Sequence, residues 1–486
     1  MLVEGIYCVL LIANMSGFER SAGDIAYHRL RVLFEAHGDS NYIGEPVSII
    51  EHSLQAAHFT QQKSSTNDSE LIIGNLLHDI GHALGLEVHQ KMEMNGCGVK
   101  DHEHVGADFL MKLGFPERVC KLARSHVQAK RFLCYKKPDY YSGLSEASKT
   151  TLGFQGGPMT AEEAETFENN PDFANILLMR ECDEAGKVPG SQITVPDFAS
   201  YRDTIKQMVD ASGAKISGYP LSAFQVAHFK QNSFLKLEHL LKFDNIAPSD
   251  VSSWCEEISS WPKAENKWLL HWELNNKGEK IMCRSENFVN YHEGMARLAR
   301  ECVLSVVSQL FEDPVPGSTT AATAGGAVLF KEKINYKLAG GSGFAAHQDS
   351  PAYIGLADDH VSVMVAVDAA TEQNGCLQVC PGQWGKSSNV PLTADGIVTK
   401  EAEAAMTFVP VPANAGDVLF FNGYIPHRSN ANLSERNRRA IFLTYNPHCQ
   451  GDHHAAYYAA KHSNAQGFDG AHTISFQGDF QGKIVD

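Results

Sequence analysis

None of the 11 cysteines stands in a CxxC pair, and their number is odd. Scattered in this way they fit reduced thiols better than a disulfide framework or a zinc site, so Cys97, Cys376 and Cys380 read as small buried hydrophobes. Basic residues are also in short supply: 41 Lys plus Arg face 57 Asp plus Glu, for a net charge of −16. That balance argues against a broad nucleic-acid or anionic-membrane surface, although a few local cations can still reverse the field inside one pocket for an anionic substrate. Long apolar runs are missing too. The N-terminal "GIYCVLLIA" is too short to cross a bilayer, and Glu4 stands where a signal peptide carries positive charge. A soluble, cytoplasmic protein is expected, with an atypical targeting segment in the first ~20 residues as the alternative. There is no internal repeat, coiled coil or low-complexity tract.

What is present divides in two. At 486 residues the chain exceeds the ~250–300 at which single cores stop growing, so two domains are the default. From about residue 20 to 185 apolar residues recur at helical spacing, as in Ile73, Leu76, Leu77, Ile80 and Leu84. Gly114 and Pro116 separate two helices, and Thr160 with Glu163 forms a capping box. A Gly- and Pro-rich stretch, "GKVPGSQITVPDF", loosens the pattern before one more helix ends near 211. The period then changes. "AVLFKEKINYK" alternates Val328, Phe330, Ile334 and Tyr336, and "VSVMVAVD", "CLQVC", "GDVLFF" and "RRAIFLTYN" are short β-type runs. The spacing predicts an all-α domain over 1–212 and a double-sheet jelly roll over 213–486, with helices such as "YHEGMARLARECVLSVVSQLF" at its N-terminal edge.

In "NLLHDIGHAL" an adjacent His78 and Asp79 are followed by His82 one turn later. On a continuous helix the two histidines share a face and Asp79 is offset by about 100°. His52, His102, His126 and Asp183 supply further ligand types, and the mixture of imidazole and carboxylate suits Fe, Mn or Zn rather than Mg or Ca. The same ligands serve phosphate-ester hydrolysis or O2 chemistry, so this set alone leaves both open.

The runs "YIGEPVSIIEH", "LLHDIGH", "HEHVGA", "SHVQAK", "LSEASKTTLGFQGGPM" and "RECDEAGK" resemble the oxygenase branch of the HD superfamily over roughly residues 20–210. Those di-iron enzymes cleave 2-amino-1-hydroxyethylphosphonate with O2, through a mixed-valent Fe(II)/Fe(III) pair. The resemblance implies that His52, His78, Asp79 and Asp183 hold one iron, with Asp79 bridging to a second iron on His102 and His126. It also implies a phosphonate cradle of His82, Lys130, Ser148 and Arg180. Tyr42 would cap one iron before substrate arrives, and Glu45 would receive the substrate's ammonium. Asp79, His82 and Lys130 carry the expected catalytic roles. His58, His89 and His104 match nothing and read as surface or packing residues.

"GFAAHQDSPAY" holds His347 and Asp349 as an HxD pair, "FFNGYIPHRSN" supplies His427, and Arg438 follows eleven residues later. Two His and one carboxylate make the facial triad of non-haem Fe(II) oxygenases. This spacing resembles the phytanoyl-CoA dioxygenase family of Fe(II)/2-oxoglutarate enzymes over roughly residues 215–450, and within it the 2-aminoethylphosphonate hydroxylases. The resemblance implies that Arg438, helped by Ser429, grips the distal carboxylate of 2-oxoglutarate. Lys337 matches a position near the cosubstrate, its alternative being a solvated strand lysine; Asn374 and Gly375 match a structural turn.

Together the two likenesses imply a bifunctional enzyme of organophosphonate catabolism and phosphate acquisition. The C-terminal domain would hydroxylate C1 of 2-aminoethylphosphonate, and the N-terminal domain would oxidise the (R)-hydroxy product to glycine and phosphate. Fusion would raise the local concentration of the intermediate. One alternative keeps the steps on 2-(trimethylamino)ethylphosphonate, giving glycine betaine; another is an HD phosphohydrolase joined to a 2-oxoglutarate-sensing module.

Overall fold

The computed structural model describes residues 20–485 apart from 43, 89–97, 190–191, 276, 313–325, 354, 389, 464–479, 482 and 484. Cys97, His89 and the "GIYCVLLIA" stretch lie outside the described residues. Two compact units result, Met1–Pro220 and Leu221–Asp486. The division falls after Pro220 rather than after residue 212 because the chain beyond the Arg202–Ala211 helix still bonds to the first unit. Ser212 Oγ donates to Gly114 O at 2.8 Å, and Arg29 Nε donates to Pro220 O at 3.2 Å. Among the described residues no helix is long and apolar enough to cross a membrane.

The first unit is helical, and its helix ends follow local chemistry. Ser48 and Glu51 form a capping box that starts the Ile49–Lys63 helix, and the expected Thr160–Glu163 box starts Ala161–Glu168. Gly114, at φ +75°, ends the His102–Lys112 helix, and Pro116 caps Glu117–Lys136. One face of Glu117–Lys136 buries Leu122, Ala129 and Phe132 against Leu71, Phe167, Ile176 and Met179. Each large side chain so buried contributes about 1.5–3 kcal/mol, which fixes the rotation of the helix that also carries His126 and Lys130.

His78 and Asp79 are not within a helix: Ser69–Leu76 ends before them, Ile80–Leu86 begins after them, and Leu77 and Asp79 sit near φ −113° and −103° with ψ close to zero. The break frees the pair from the 100° offset of a continuous helix, so adjacent side chains turn toward one centre. His82 lies in the first turn of the second helix. Gly81 permits its close approach to the His102–Lys112 helix, since a Cβ there would meet His102 O at 2.1 Å.

In the second unit β1 (Phe234–Leu237), β2 (Leu269–Leu274), β3 (Lys280–Glu286), β4 (Ala327–Lys337), β5 (Phe344–His347), β6 (Val361–Ala366), β7 (Leu377–Val379), β8 (Val409–Val411), β9 (Val418–Asn422), β10 (His427–Ser429) and β11 (Arg438–Pro447) form two sheets. Their orders are β1-β9-β6-β11-β4-β3-β2 and β5-β10-β7-β8, with antiparallel pairs throughout. This is the expected jelly roll, with Met364, Leu377, Val379, Leu419, Phe421 and Ile425 in the core between the sheets. The predicted edge helix is three consecutive pieces, Glu293–Arg297, a π-turn over Leu298–Val303, and Leu304–Glu312. A bulge between Thr444 and Tyr445 pairs Thr444 with Lys331 but Tyr445 with Leu329. It shifts the period of β4 by one, so Val328 falls on the face opposite Phe330, Ile334 and Tyr336 rather than beside them.

Candidate metal centres

Among the described residues three groups bring metal-type donors together: His52, His78 and Asp183; Asp79, His102 and His126; and His347, Asp349 and His427. In the first unit every imidazole of the two groups is held by its Nδ1. The acceptors are Gly186 O for His52 at 2.9 Å, Asn75 O for His78 at 2.7 Å, Val99 O for His102 at 3.2 Å and Ala123 O for His126 at 2.7 Å. A carbonyl can only accept, so Nδ1–H is the donor in each ring and Nε2 is the atom turned inward, where it serves the carboxylates as a donor or a metal ion as a ligand. The Nε2 atoms then face each other at 3.3 Å between His52 and His78 and at 3.1 Å between His102 and His126. Facing nitrogens in the same protonation state repel, and a metal ion between them turns that repulsion into coordination. This donor chemistry fits a pair of transition-metal ions.

Asp79 spans both groups. Its Oδ2 lies 3.2 Å from His78 Nε2 and 3.5 Å from His52 Nε2, and its Oδ1 lies 3.3 Å from the Nε2 of both His102 and His126. Burial opposes the charges of Asp79 and Asp183, but His78 and its neighbours at the first, and Arg180 at the second, outweigh it and hold both carboxyls well below the usual range. Tyr42 OH donates to Asp79 Oδ2 at 2.5 Å. Burial, and then the Asp79 charge, keep that phenol protonated.

His82 differs from the four ligand-like histidines. Its Nδ1 accepts from Val99 N–H at 3.2 Å, so the proton sits on Nε2. Burial and the neighbouring His102, stacked at 3.9 Å between ring centroids, hold the ring neutral. It is therefore a donor. His82, Lys130, Ser148 and Arg180 all line one cleft with Tyr42, Glu45 and Asp79. Lys130 Nζ donates to Thr151 Oγ1 at 3.1 Å; burial and Arg180 push its ammonium down to about 7. Arg180 also bonds Asp183, Tyr140 and Glu184. Glu45 does not stand free: it accepts from Lys187 Nζ at 2.9 Å and Ser145 Oγ at 2.8 Å. Lys187 escaped the sequence reading, although it follows Asp183 by four residues, the spacing of one helical turn. His58 and His104 line no part of the cleft.

In the second unit, β5 and β10 set His347 opposite His427. Their Nδ1 atoms are bonded to Ala345 O at 2.8 Å and Ile425 O at 3.0 Å, the same arrangement that turns Nε2 inward. Asp349 accepts from Ser362 Oγ at 2.5 Å. Burial opposes its charge, but His427, Lys331 and His347 hold the carboxyl far below the usual range. Two imidazoles and an ionised carboxylate fit a single Fe(II) with open positions.

Arg438 pairs with Lys337 across β11 and β4, and both side chains are buried, so Lys337 is not a solvated strand lysine. Lys337 Nζ donates to Ser429 Oγ at 2.8 Å and Asn430 O at 2.6 Å. Burial, then Arg438, hold this ammonium well below its ordinary value. Asn374 accepts from Thr371 N–H at 2.7 Å, and Gly375 adopts φ +74°, where a Cβ would meet Asn430 O at 2.2 Å, so both belong to a turn. Cys376 and Cys380 are buried and free.

The HD domain profile matches residues 49–149, and that of phytanoyl-CoA dioxygenase (PhyH) matches residues 229–440. The chain is 37% identical over 240 residues to the 2-aminoethylphosphonate dioxygenase of an uncultured bacterium, a match covering 49% of this chain and 86% of the relative. Similarity to the methylphosphonate hydroxylase of Gimesia maris is 36% over 241 residues, 50% of this chain and 86% of that one. A third relative is the 1-hydroxy-2-(trimethylamino)ethylphosphonate dioxygenase (glycine-betaine-forming) of Leisingera caerulea, 41% identical over 181 residues, 37% of this chain and 87% of the relative.

Proposed function

The chain belongs to the phytanoyl-CoA dioxygenase family over its C-terminal unit and carries an HD domain in its N-terminal unit, and on that premise we propose that its two centres oxidise one organophosphonate in succession. At the second centre 2-aminoethylphosphonate, 2-oxoglutarate and O2 give 2-amino-1-hydroxyethylphosphonate, succinate and CO2. At the first, the hydroxy compound and a further O2 give glycine and phosphate. Iron at both centres supplies the O2-activating chemistry. The observation that carries the reading is Asp79, which directs one oxygen to each histidine pair beside a cleft lined by Lys130 and Arg180.

The residues have separable tasks. His52, His78 and Asp183 hold one metal of the first centre, His102 and His126 the other, and Asp79 both. Lys130, Arg180 and Ser148 bind phosphonate oxygens, and His82 donates to them through Nε2–H. Tyr42 holds Asp79 until substrate enters. Glu45 takes the substrate's ammonium in exchange for Lys187, which now occupies that carboxylate. At the second centre His347, Asp349 and His427 hold iron, and Arg438 grips the distal carboxylate of 2-oxoglutarate with Ser429 and Lys337 at its side. The named activity of the Leisingera caerulea relative favours a second reading with the trimethylated amine and glycine betaine.

Supplying the enzyme with Fe(II), 2-oxoglutarate, O2 and each phosphonate in turn separates the readings. Phosphate with glycine is expected from 2-aminoethylphosphonate. No phosphate under air, or equal phosphate without O2, overturns the proposal; the latter result is that of a hydrolase.

A further inference from the structure

We propose that Lys331 and Lys333 form the phosphonate-binding subsite of the second centre, an inference that rests on the function proposed above. Beyond the bulge, β4 points Lys331, Lys333, Asn335 and Lys337 to one face of the sheet, opposite Thr444, Phe442, Ala440 and Arg438 of β11. Lys331, Lys333 and Asn335 line the same cleft as His347, Asp349 and His427. Lys331 is 8% exposed, and among the described residues its ammonium has no carboxylate oxygen at ion-pair distance. Its partner is the hydroxyl of Tyr353, whose ring centroid lies 4.3 Å away. The carboxylate that Lys331 acts on, Asp349, belongs to the metal triad, so this buried cation has no counter-ion of its own in contact, which is costly, and in a chain of net charge −16 it is not part of a general basic surface. An anionic ligand supplies the missing charge.

The residues assigned to the distal carboxylate of the cosubstrate stand apart from these lysines. Lys337 and Arg438 sit at the far end of β4, and at about 3.4 Å per residue the backbone of Lys333 is about 13 Å, and that of Lys331 about 20 Å, from that of Lys337. Lys333 Nζ lies 5.7 Å from the Phe344 centroid and 5.3 Å from that of Phe442, so aromatic walls flank it. The position also selects the carbon. Lys331 pairs with Thr444, Thr444 with Ser362, and Ser362 bonds the triad carboxylate of Asp349. A phosphonate held there sets the carbon bonded to phosphorus nearest the triad, so C1 rather than C2 is presented for hydroxylation. Each lysine acts as a substrate-positioning cation toward the phosphonate oxygens.

The test uses the full chain, anaerobic, with Fe(II) and 2-oxoglutarate, and follows the visible absorption of the bound cosubstrate as 2-aminoethylphosphonate is added. In the wild type the band forms and shifts as phosphonate binds. Lys331→Gln and Lys333→Gln are expected to form the band at the same 2-oxoglutarate concentration while raising the half-saturating phosphonate concentration at least about tenfold. Lys333→Gln, at a half-buried position, carries the test should Lys331→Gln not fold. An unchanged phosphonate titration in the Gln variants overturns the subsite and leaves the proposed function standing. A wild type that forms no band overturns the 2-oxoglutarate reading, and the subsite with it.

Discussion

Arg438→Met offers a prediction whose two effects have opposite sign. The guanidinium is 1% exposed, and its Nη2 contacts the Met364 sulfur at 3.6 Å. Burial lowers it from the ordinary arginine range to about 10, which corresponds to about 3 kcal/mol against the charged form. Because the folded value is lowered, this cost is present in full at neutral pH and shrinks only at pH above about 10. The carboxylate of 2-oxoglutarate offsets it, through charged hydrogen bonds of about 1.5–3 kcal/mol each. Replacing Arg438 by an apolar side chain of similar reach should therefore leave the cosubstrate-free midpoint within a few degrees of wild type, or raise it. The same change should weaken 2-oxoglutarate binding by about 100-fold or more. Differential scanning calorimetry with and without 2-oxoglutarate reads both. At about 100 times Kd the cosubstrate should add about 2.7 kcal/mol, roughly 5–10 °C, to the C-terminal unit of the wild type and nothing to the variant. A variant that keeps the cosubstrate-induced rise, or melts far lower without cosubstrate, refutes the role given to Arg438.

The division of labour is tested by His347→Ala, which should lower turnover of 2-aminoethylphosphonate by more than about 100-fold yet leave cleavage of the hydroxylated compound intact; loss of both would refute it. Asp79→Ala should do the reverse, and 31P NMR should show the hydroxy compound accumulating. Chelation should lower the melting temperature of both units, because the inward Nε2 lone pairs lose their cation, and metal analysis of Asp79→Asn should find less iron per chain. In the second unit burial opposes the charge of Glu286, but Lys461, Arg284 and His271 outweigh it and hold the carboxyl at about 2. Its contribution to stability is present above the ordinary 4.5 and lost as pH falls toward 2, so the stability gap between wild type and Glu286→Gln should narrow on acidification. A gap constant with pH counts against that role.

Much of both centres was legible because the relations that orient them are local. Five of the six inward-facing imidazoles are held by a carbonyl two or three residues earlier: Asn75 for His78, Val99 for His102, Ala123 for His126, Ala345 for His347 and Ile425 for His427. Helical and strand periods likewise followed from spacing, and with them the all-α and jelly-roll units. Only tertiary structure decided the rest. His52 is held by Gly186, far along the chain, and Glu45 is occupied by Lys187, a pairing that depends on which helices abut. The helix break at His78 and Asp79 and the bulge opposite Lys331 change which side chains face inward without changing a single spacing. Periodicity ranks residues along one element, whereas a break or a bulge resets the phase. Packing between elements then determines which charges meet.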